Sequence, residues 1–137
     1  MDETVSIVLF SGTDDKHQAA AVLTAGAAAL GRPVRILLQY WALDAFRSDR
    51  LMADHGLAPE AGPAGNAAFR AAAGAGHAHW SESLRMAKEL GDVDIQACSQ
   101  SMDVLKLQQA DLDSLVDGIE GVAAFYINAG EGQIVFI

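Results

Sequence analysis

Cys98 is the only cysteine in the chain and therefore its only thiol. It lies in the stretch Val93–Asp103, where an apolar strand pattern gives way to a helix start that Ser101 is expected to cap. A thiol at this junction would lie at the mouth of a parallel sheet, beside helix N–H groups that stabilise an anion. Because the thiolate is the reactive form of cysteine, Cys98 is the candidate catalytic residue.

Further polar and aromatic side chains are expected at the same edge of the sheet, because ligands bind where parallel strands end. Hydroxyls would donate hydrogen bonds to a bound anion, a lysine would attract that anion, and a histidine would supply a proton. The candidate substrate-binding residues are Ser99, Ser101, Tyr40, Trp41, Thr13, Lys16 and His17. The alternative is that the two aromatics cap the core and that the lysine and histidine are solvated.

Metal and nucleotide sites are not expected. His77 and His79 offer two nitrogens without an obvious third ligand, and a lone cysteine does not make a zinc site. The stretch Ser11-Gly12-Thr13 resembles a phosphate-binding turn only loosely, because the glycine-rich motifs of nucleotide sites are absent. We therefore expect no resident metal and no cofactor.

The composition favours one domain over residues 1–137. The formal net charge of −9 opposes binding to nucleic acid or to anionic membranes. A single cysteine is typical of a reducing, cytoplasmic setting, and the first residues lack the basic and apolar regions of a signal peptide. No apolar run reaches the roughly 20 residues that a membrane-spanning helix needs.

Two strands and the helix between them are indicated near the start of the chain. Val5–Phe10 and Val34–Leu38 have buried-strand patterns, and a helix is expected from Thr13 or Asp14 to about Leu30. Short links between these elements predict a right-handed crossover and parallel strands.

The rest of the chain is predicted to add further helices, three strands and an irregular segment. The segment at 47–79 is rich in Ala, Gly and Pro, and it would form a lid or an interface. The predicted elements are short helices at Leu51–His55, Asn66–Ala73 and Asp111–Val116, a helix at Trp80–Leu90, and strands at Val93–Ala97, Val122–Ile127 and Gln133–Ile137.

Three blocks of the sequence resemble the DsrE/DsrF-like family of small sulfur-handling proteins, particularly its peroxiredoxin-like branch. The blocks follow family order over nearly the whole chain, and Cys-x-x-Ser-Met-Asp is the most specific pattern. They are Asp14-Asp15-Lys16 with Ala19-Ala20, Gly26–Ala29 and Gly31–Val34; Tyr40–Leu43; and Ala97–Asp103 with Gly121–Ala123 and Ile134–Ile137.

The resemblance implies a flavodoxin-like three-layer α/β/α sandwich with a mostly parallel five-stranded sheet. It also implies a homo-oligomer, a trimer or a multiple of one. The family cysteine, which corresponds by position to Cys98, carries sulfane sulfur or thiosulfate from a donor to an acceptor thiol. The implied partners are sulfur donor and acceptor proteins or small sulfur compounds.

Two other functions remain open from the sequence. A buried Cys98 would be a small hydrophobe in a non-catalytic oligomeric interaction or scaffold protein. A peroxidase would need a second thiol to resolve its sulfenic acid, and the chain has none.

Overall fold

The computed structural model describes residues 3–137 and places a parallel sheet at the centre of the molecule. Within these residues the sheet has five strands in the order β4-β3-β2-β1-β5, all parallel. The elements in chain order are β1 (Val5–Leu9), α1 (Asp14–Ala29), β2 (Val34–Leu38), α2 (Tyr40–Ala45), α3 (Gly62–Gly74), α4 (Trp80–Leu90), β3 (Val93–Cys98), α5 (Ser99–Leu105), β4 (Gly118–Glu120), α6 (Val122–Ala129) and β5 (Gln133–Phe136).

The two faces of the sheet are covered unequally. Alternate strand residues point to opposite faces, so in β3 Ile95 belongs to a large core while Cys98 belongs to a small one. The large core holds side chains of α1 and α4, which pack together. The small core consists of Leu37, Cys98 and Phe125, and Phe125 comes from α6. The arrangement is the expected flavodoxin-like three-layer sandwich, with a thin layer over Cys98.

The sequence-based prediction of a strand at Val122–Ile127 is wrong, because this run is helix α6. The fourth strand is the shorter β4, and it is parallel to its neighbour β3. Parallel strands need a crossover between them rather than a tight turn. The chain therefore uses this apolar run as the helical connection from β4 to β5, and the sheet is entirely rather than mostly parallel.

Smaller differences concern helix starts and the irregular segment. Cys98, not Ser101, is the N-cap of α5, so the helix begins three residues earlier than predicted. Asn66–Ala73 lies within α3, as expected, but Leu51–His55 forms turns rather than a helix. Asp111–Val116 is also not a helix, and only a 3₁₀ turn at Gln109–Asp111 precedes it.

Candidate functional site

Cys98 lies at the carboxyl end of β3, where the strand passes directly into α5. Its side chain is buried, with 2% of its surface exposed. Leu37 from β2 and Phe125 from α6 complete its apolar surroundings, and Val8 packs against the same cluster. The thiol therefore lies at the predicted edge of the sheet, but beneath α6 rather than open to solvent.

One polar group reaches the sulfur from the neighbouring strand. The side-chain amide of Gln39, directly after β2, donates a hydrogen bond to Cys98 Sγ with an N–S distance of 3.9 Å. Sequence reasoning missed Gln39, although it is the polar residue that follows the apolar run Val34–Leu38. An amide donor at this place stabilises negative charge on sulfur without adding a charge of its own.

Glu120 is a second residue that the sequence did not single out. It is the register partner of Cys98 in the β3–β4 pair, so its side chain projects from the same face of the sheet. Burial, and then the charge of Asp94, raises the pKa of Glu120 above its ordinary value of 4.5. A carboxyl group that holds its proton more tightly than usual therefore lies beside the thiol.

The two serines near Cys98 have different surroundings. Ser99 is exposed in the first turn of α5, and its hydroxyl lies near Gly121 at the start of α6. Ser101 is fully buried, and its hydroxyl has no hydrogen-bond partner within residues 3–137. Ser99 is therefore placed to meet a molecule that enters beside α6, whereas Ser101 is enclosed.

Thr13 and Trp41 belong to a separate cavity of about 440 Å³, which Cys98 does not line. Thr13 is the N-cap of α1, and Trp41 is 57% exposed. A Cβ atom on Gly12 would lie 2.8 Å from the Trp41 carbonyl oxygen. Glycine is thus needed here for the close approach of two loops, which accounts for the Ser11-Gly12-Thr13 motif without a phosphate.

Tyr40 and Lys16 are close in sequence to residues of this cavity, and within residues 3–137 neither side chain forms a hydrogen bond with Cys98. Tyr40 begins α2 with a φ of 45°, a left-handed conformation that is rare for residues other than glycine. Its ring packs against Phe10 at a centroid distance of 5.7 Å. Lys16 is half-buried in the first turn of α1.

His17 is buried in the large core, on the face of the sheet opposite Cys98. Its ring lies against Trp80 and Phe46, and Nε2 is 2.7 Å from the carbonyl oxygen of Ser11. A carbonyl only accepts, so Nε2 carries the proton. Burial lowers the pKa of His17 to about 4, so the ring is neutral at pH 7. His17 is therefore enclosed on the other face of the sheet and is not placed to donate a proton to the thiol.

The paired histidines of the sequence also lie outside the Cys98 site. His77 is exposed, and His79 caps α4 by accepting a hydrogen bond from the backbone N–H of Ser81. Across the described part of the chain, no three His, Cys, Asp or Glu side chains converge as metal ligands. A search of the same residues finds no helix with the length and hydropathy that a bilayer crossing requires.

Comparison with known proteins agrees with this architecture. Two solved structures superpose over essentially their whole length, each at 14% sequence identity, which shows the fold alone. One is a protein of unknown function from Methanobacterium thermoautotrophicum, MTH1491, with a TM-score of 0.59 over 99% of this chain and 100% of that chain. The other is the E. coli ychN protein, with a TM-score of 0.58 over 100% of both chains.

Sequence comparison identifies the family. YrkE of Bacillus subtilis (strain 168) is 31% identical, in an alignment that covers 94% of this chain and 92% of the relative. The model of the DsrE/DsrF/DrsH-like family matches residues 1–73, from the N-terminus to α3. The chain belongs to the DsrE/DsrF/DrsH-like family.

Proposed function

We propose that this protein is a cytoplasmic sulfur carrier that holds sulfane sulfur or thiosulfate on Cys98 and passes it to an acceptor thiol. The observation that carries the proposal is the place of Cys98. The only thiol of the chain lies at the carboxyl end of an inner strand, where parallel sheets bind ligands. Membership of the DsrE/DsrF/DrsH-like family supports a role in sulfur relay.

The transfer needs one thiolate and no cofactor. The Cys98 thiolate attacks the outer sulfur of a donor persulfide, which forms Cys98–S–S⁻ and releases the donor thiolate. With thiosulfate as donor, the leaving group is sulfite. An acceptor thiolate then attacks the outer sulfur, takes it as a new persulfide, and regenerates the Cys98 thiolate. The amide of Gln39 stabilises the negative charge on Cys98 Sγ in the thiolate, before the attack on the donor and again when the acceptor has taken the outer sulfur.

Access to the thiol requires movement of α6, because Phe125 and Leu37 enclose Cys98. This helix has eight residues between Gly121 and Gly130, and Gly130 has a φ of 57°. Glycines at both ends leave the helix free to shift as a unit. We therefore assign α6 the role of a cover that a sulfur donor or acceptor displaces.

A homo-oligomer, a trimer or a multiple of one, is part of the proposal. Tyr126 and Ile127 of α6 and Phe136 of β5 are each more than half exposed, and protein interfaces bury large apolar side chains of this kind. Val22 on α1 and Leu30, the C-cap of that helix, are also more than half exposed. Exposed apolar side chains on an acidic chain favour assembly with further copies. Sedimentation of the wild type and of Phe136→Glu tests this, with a smaller species expected for the variant.

Mass spectrometry tests the carrier function directly. After incubation with a small-molecule persulfide, the wild type should gain the mass of one sulfur atom. With tetrathionate, the Cys98 thiolate attacks a central sulfur and one thiosulfate leaves, so the gain should be the mass of the other thiosulfate group. Cys98→Ser should gain neither, and Ser101→Ala, which keeps the thiol, should gain both. The adduct should disappear when an acceptor thiol is added. A wild-type protein that forms no adduct with any of these donors contradicts the proposal.

The burial of Cys98 favours a second candidate, a non-catalytic oligomeric scaffold with a structural cysteine. The two candidates differ in the rate at which native Cys98 reacts. A carrier should be alkylated by iodoacetamide in the folded state far faster than the protein unfolds. A structural cysteine should react only at the rate of global unfolding.

A further inference from the structure

A cavity of about 630 Å³ lies on the face of the sheet opposite Cys98. Its walls come from the start of α1, the loop at 52–54, the helix α3, the linker at 77–79 and the start of α4. Small-molecule sites in proteins typically have volumes of roughly 300–1,000 Å³. The space beneath α3 is therefore large enough for a ligand with one or two aromatic rings.

The helix α3, which forms one wall of this cavity, lacks the buried contacts that usually stabilise a helix. None of the 13 residues of α3 is buried, although Phe69 and Ala72 line the cavity. The helix begins at Gly62 and is followed by Gly76, and the φ angles of these two glycines are 62° and 91°. Most helices are stabilised by burying one face. A molecule in the cavity would supply the missing contacts to α3.

Two polar groups of the wall are available to a ligand. Nδ1 of His79 accepts a hydrogen bond from the N–H of Ser81, and burial lowers the pKa of His79. The neutral ring therefore carries its proton on Nε2, which donates to no residue of the described range 3–137. The carboxylate of Glu82 has no hydrogen bond or ion pair with any residue of the described range 3–137.

The other charged groups of the wall are already engaged. Asp14 accepts from the indole nitrogen of Trp80 at 2.9 Å and from the backbone N–H of His55 at 3.0 Å. Asp54 is paired with Arg70 at 2.8 Å. Three carboxylates against one guanidinium leave the lining negative, on a chain whose net charge is −9. The wall therefore favours a cation and repels an organic anion.

We propose that the cavity beneath α3 binds a small aromatic cation. The aromatic part lies against Phe69 and the alanines of α3, and the buried Trp80 forms the floor of the cavity. The positively charged group pairs with Glu82, and a neutral acceptor on the ligand accepts a hydrogen bond from Nε2–H of His79. This binding site is separate from Cys98 and independent of sulfur transfer.

Fluorescence of Trp80 provides the test, because the chain has two tryptophans and Trp41→Phe leaves Trp80 alone. The probe is thioflavin T, a cationic aromatic dye, compared with anilinonaphthalene sulfonate, an anionic one. We expect saturable binding of one thioflavin T per chain, detected by quenching of Trp80 and by dye fluorescence. Anilinonaphthalene sulfonate should quench Trp80 at least about tenfold more weakly at equal concentration.

Neighbouring alanines of α3 give a matched pair of variants. Ala72 lines the cavity, whereas Ala71 is exposed and does not. Ala72→Leu should weaken thioflavin T binding at least about tenfold by filling the space, and Ala71→Leu should leave it within about twofold. Glu82→Gln should weaken the cationic dye selectively, and Cys98→Ser should have no effect.

Three results overturn the proposal. They are an absence of saturable thioflavin T binding, equal losses in Ala71→Leu and Ala72→Leu, and a preference of the cavity for the anionic dye. None of them bears on sulfur transfer, because the sulfur adduct forms on Cys98 and is measured by mass. Adduct formation without dye binding would remove this site and leave the carrier function intact.

Discussion

The side-chain amide of Gln39 and the sulfur of Cys98 are joined by an N–S contact of 3.9 Å across two adjacent strand ends. Gln39 follows β2, and Cys98 ends β3. Within residues 3–137 this amide supplies the hydrogen bond that reaches the sulfur. That hydrogen bond thus comes from the end of a neighbouring strand and not from the serines of the Cys98 motif.

Gln39→Leu should slow the reaction of Cys98 with iodoacetamide and with a persulfide donor. A single weak hydrogen bond to charged sulfur predicts a loss of roughly two- to fivefold in rate at fixed pH. The rates are measured by mass spectrometry of the native protein. Gln109→Leu, at an exposed position, is the control and should react like the wild type. Equal rates for Gln39→Leu and the control would show that the amide does not assist the thiolate.

Phe125→Leu should make Cys98 more reactive, because it weakens the packing of α6 over the thiol. A loss of about 1 kcal/mol in that packing should raise the labelling rate roughly fivefold when local opening limits access. Val122→Ala is the control, since Val122 is on the same helix but 39% exposed and outside the proposed interface. An equal rise of the labelling rate in both variants would show that the packing of Phe125 does not control the opening of α6.

Glu120→Gln should raise the rate of Cys98 alkylation at neutral pH, since a carboxylate beside the thiol opposes a second negative charge. It should also stabilise the fold at neutral pH. The pKa of Glu120 is raised by burial, so the folded protein binds its proton more tightly, and stability from this group falls as pH rises above 4.5. Urea unfolding should show the variant's advantage at pH 7 and its disappearance below pH 4.5.

The exposed Glu131 provides the control for this comparison. Glu131→Gln should change neither the alkylation rate nor the pH dependence of unfolding. If Glu120→Gln behaves in the same way, the carboxyl beside Cys98 has no influence on the thiol.

His17 should make the fold sensitive to mild acid. Its pKa is about 4 in the folded protein against an ordinary value of 6.5, so between these values the unfolded chain binds the extra proton. Stability from this group is therefore complete above pH 6.5 and falls by about 3 kcal/mol as pH drops towards 4. Urea unfolding at several pH values should show a flatter profile for His17→Leu. The exposed His77→Leu should keep the wild-type slope, and equal slopes in both variants would exclude His17 as the cause.

The position of Cys98 could be predicted because local signals determine it. An apolar run with strand character ends at this residue, and parallel strands end at the edge where ligands bind. The helix α4 could be predicted equally well, because its apolar stripe indicates a helix and the glycine after it indicates where that helix ends. Both predictions depend on short-range patterns that the tertiary structure keeps.

The cover of Cys98 could not be predicted because the residues of α6 are apolar on almost every side. Such a run fits a buried strand as well as a helix, and only the parallel direction of β4 decides between them. That direction is a property of the whole sheet. The burial of the thiol by Phe125 could therefore not be predicted from the sequence either.

The burial of His17 had a similar cause. It follows Asp14, Asp15 and Lys16 in the first turn of α1, a polar context that suggests an exposed side chain. Its environment is set by Trp80, which is 63 positions later in the sequence and packs against it at a centroid distance of 4.6 Å. A contact between residues so far apart in the sequence gives no signal in the residues around His17.

The thin layer over Cys98 has a consequence for the timing of sulfur exchange. A sulfur atom carried behind α6 would react with small thiols only while the helix is open, so its exchange with them would be slowed in proportion to the time that the site is closed. A protein that remains docked on the exposed side of the helix would be present when it opens. Selectivity among acceptors would then come from residence time, and the chain would need no pocket shaped to the acceptor.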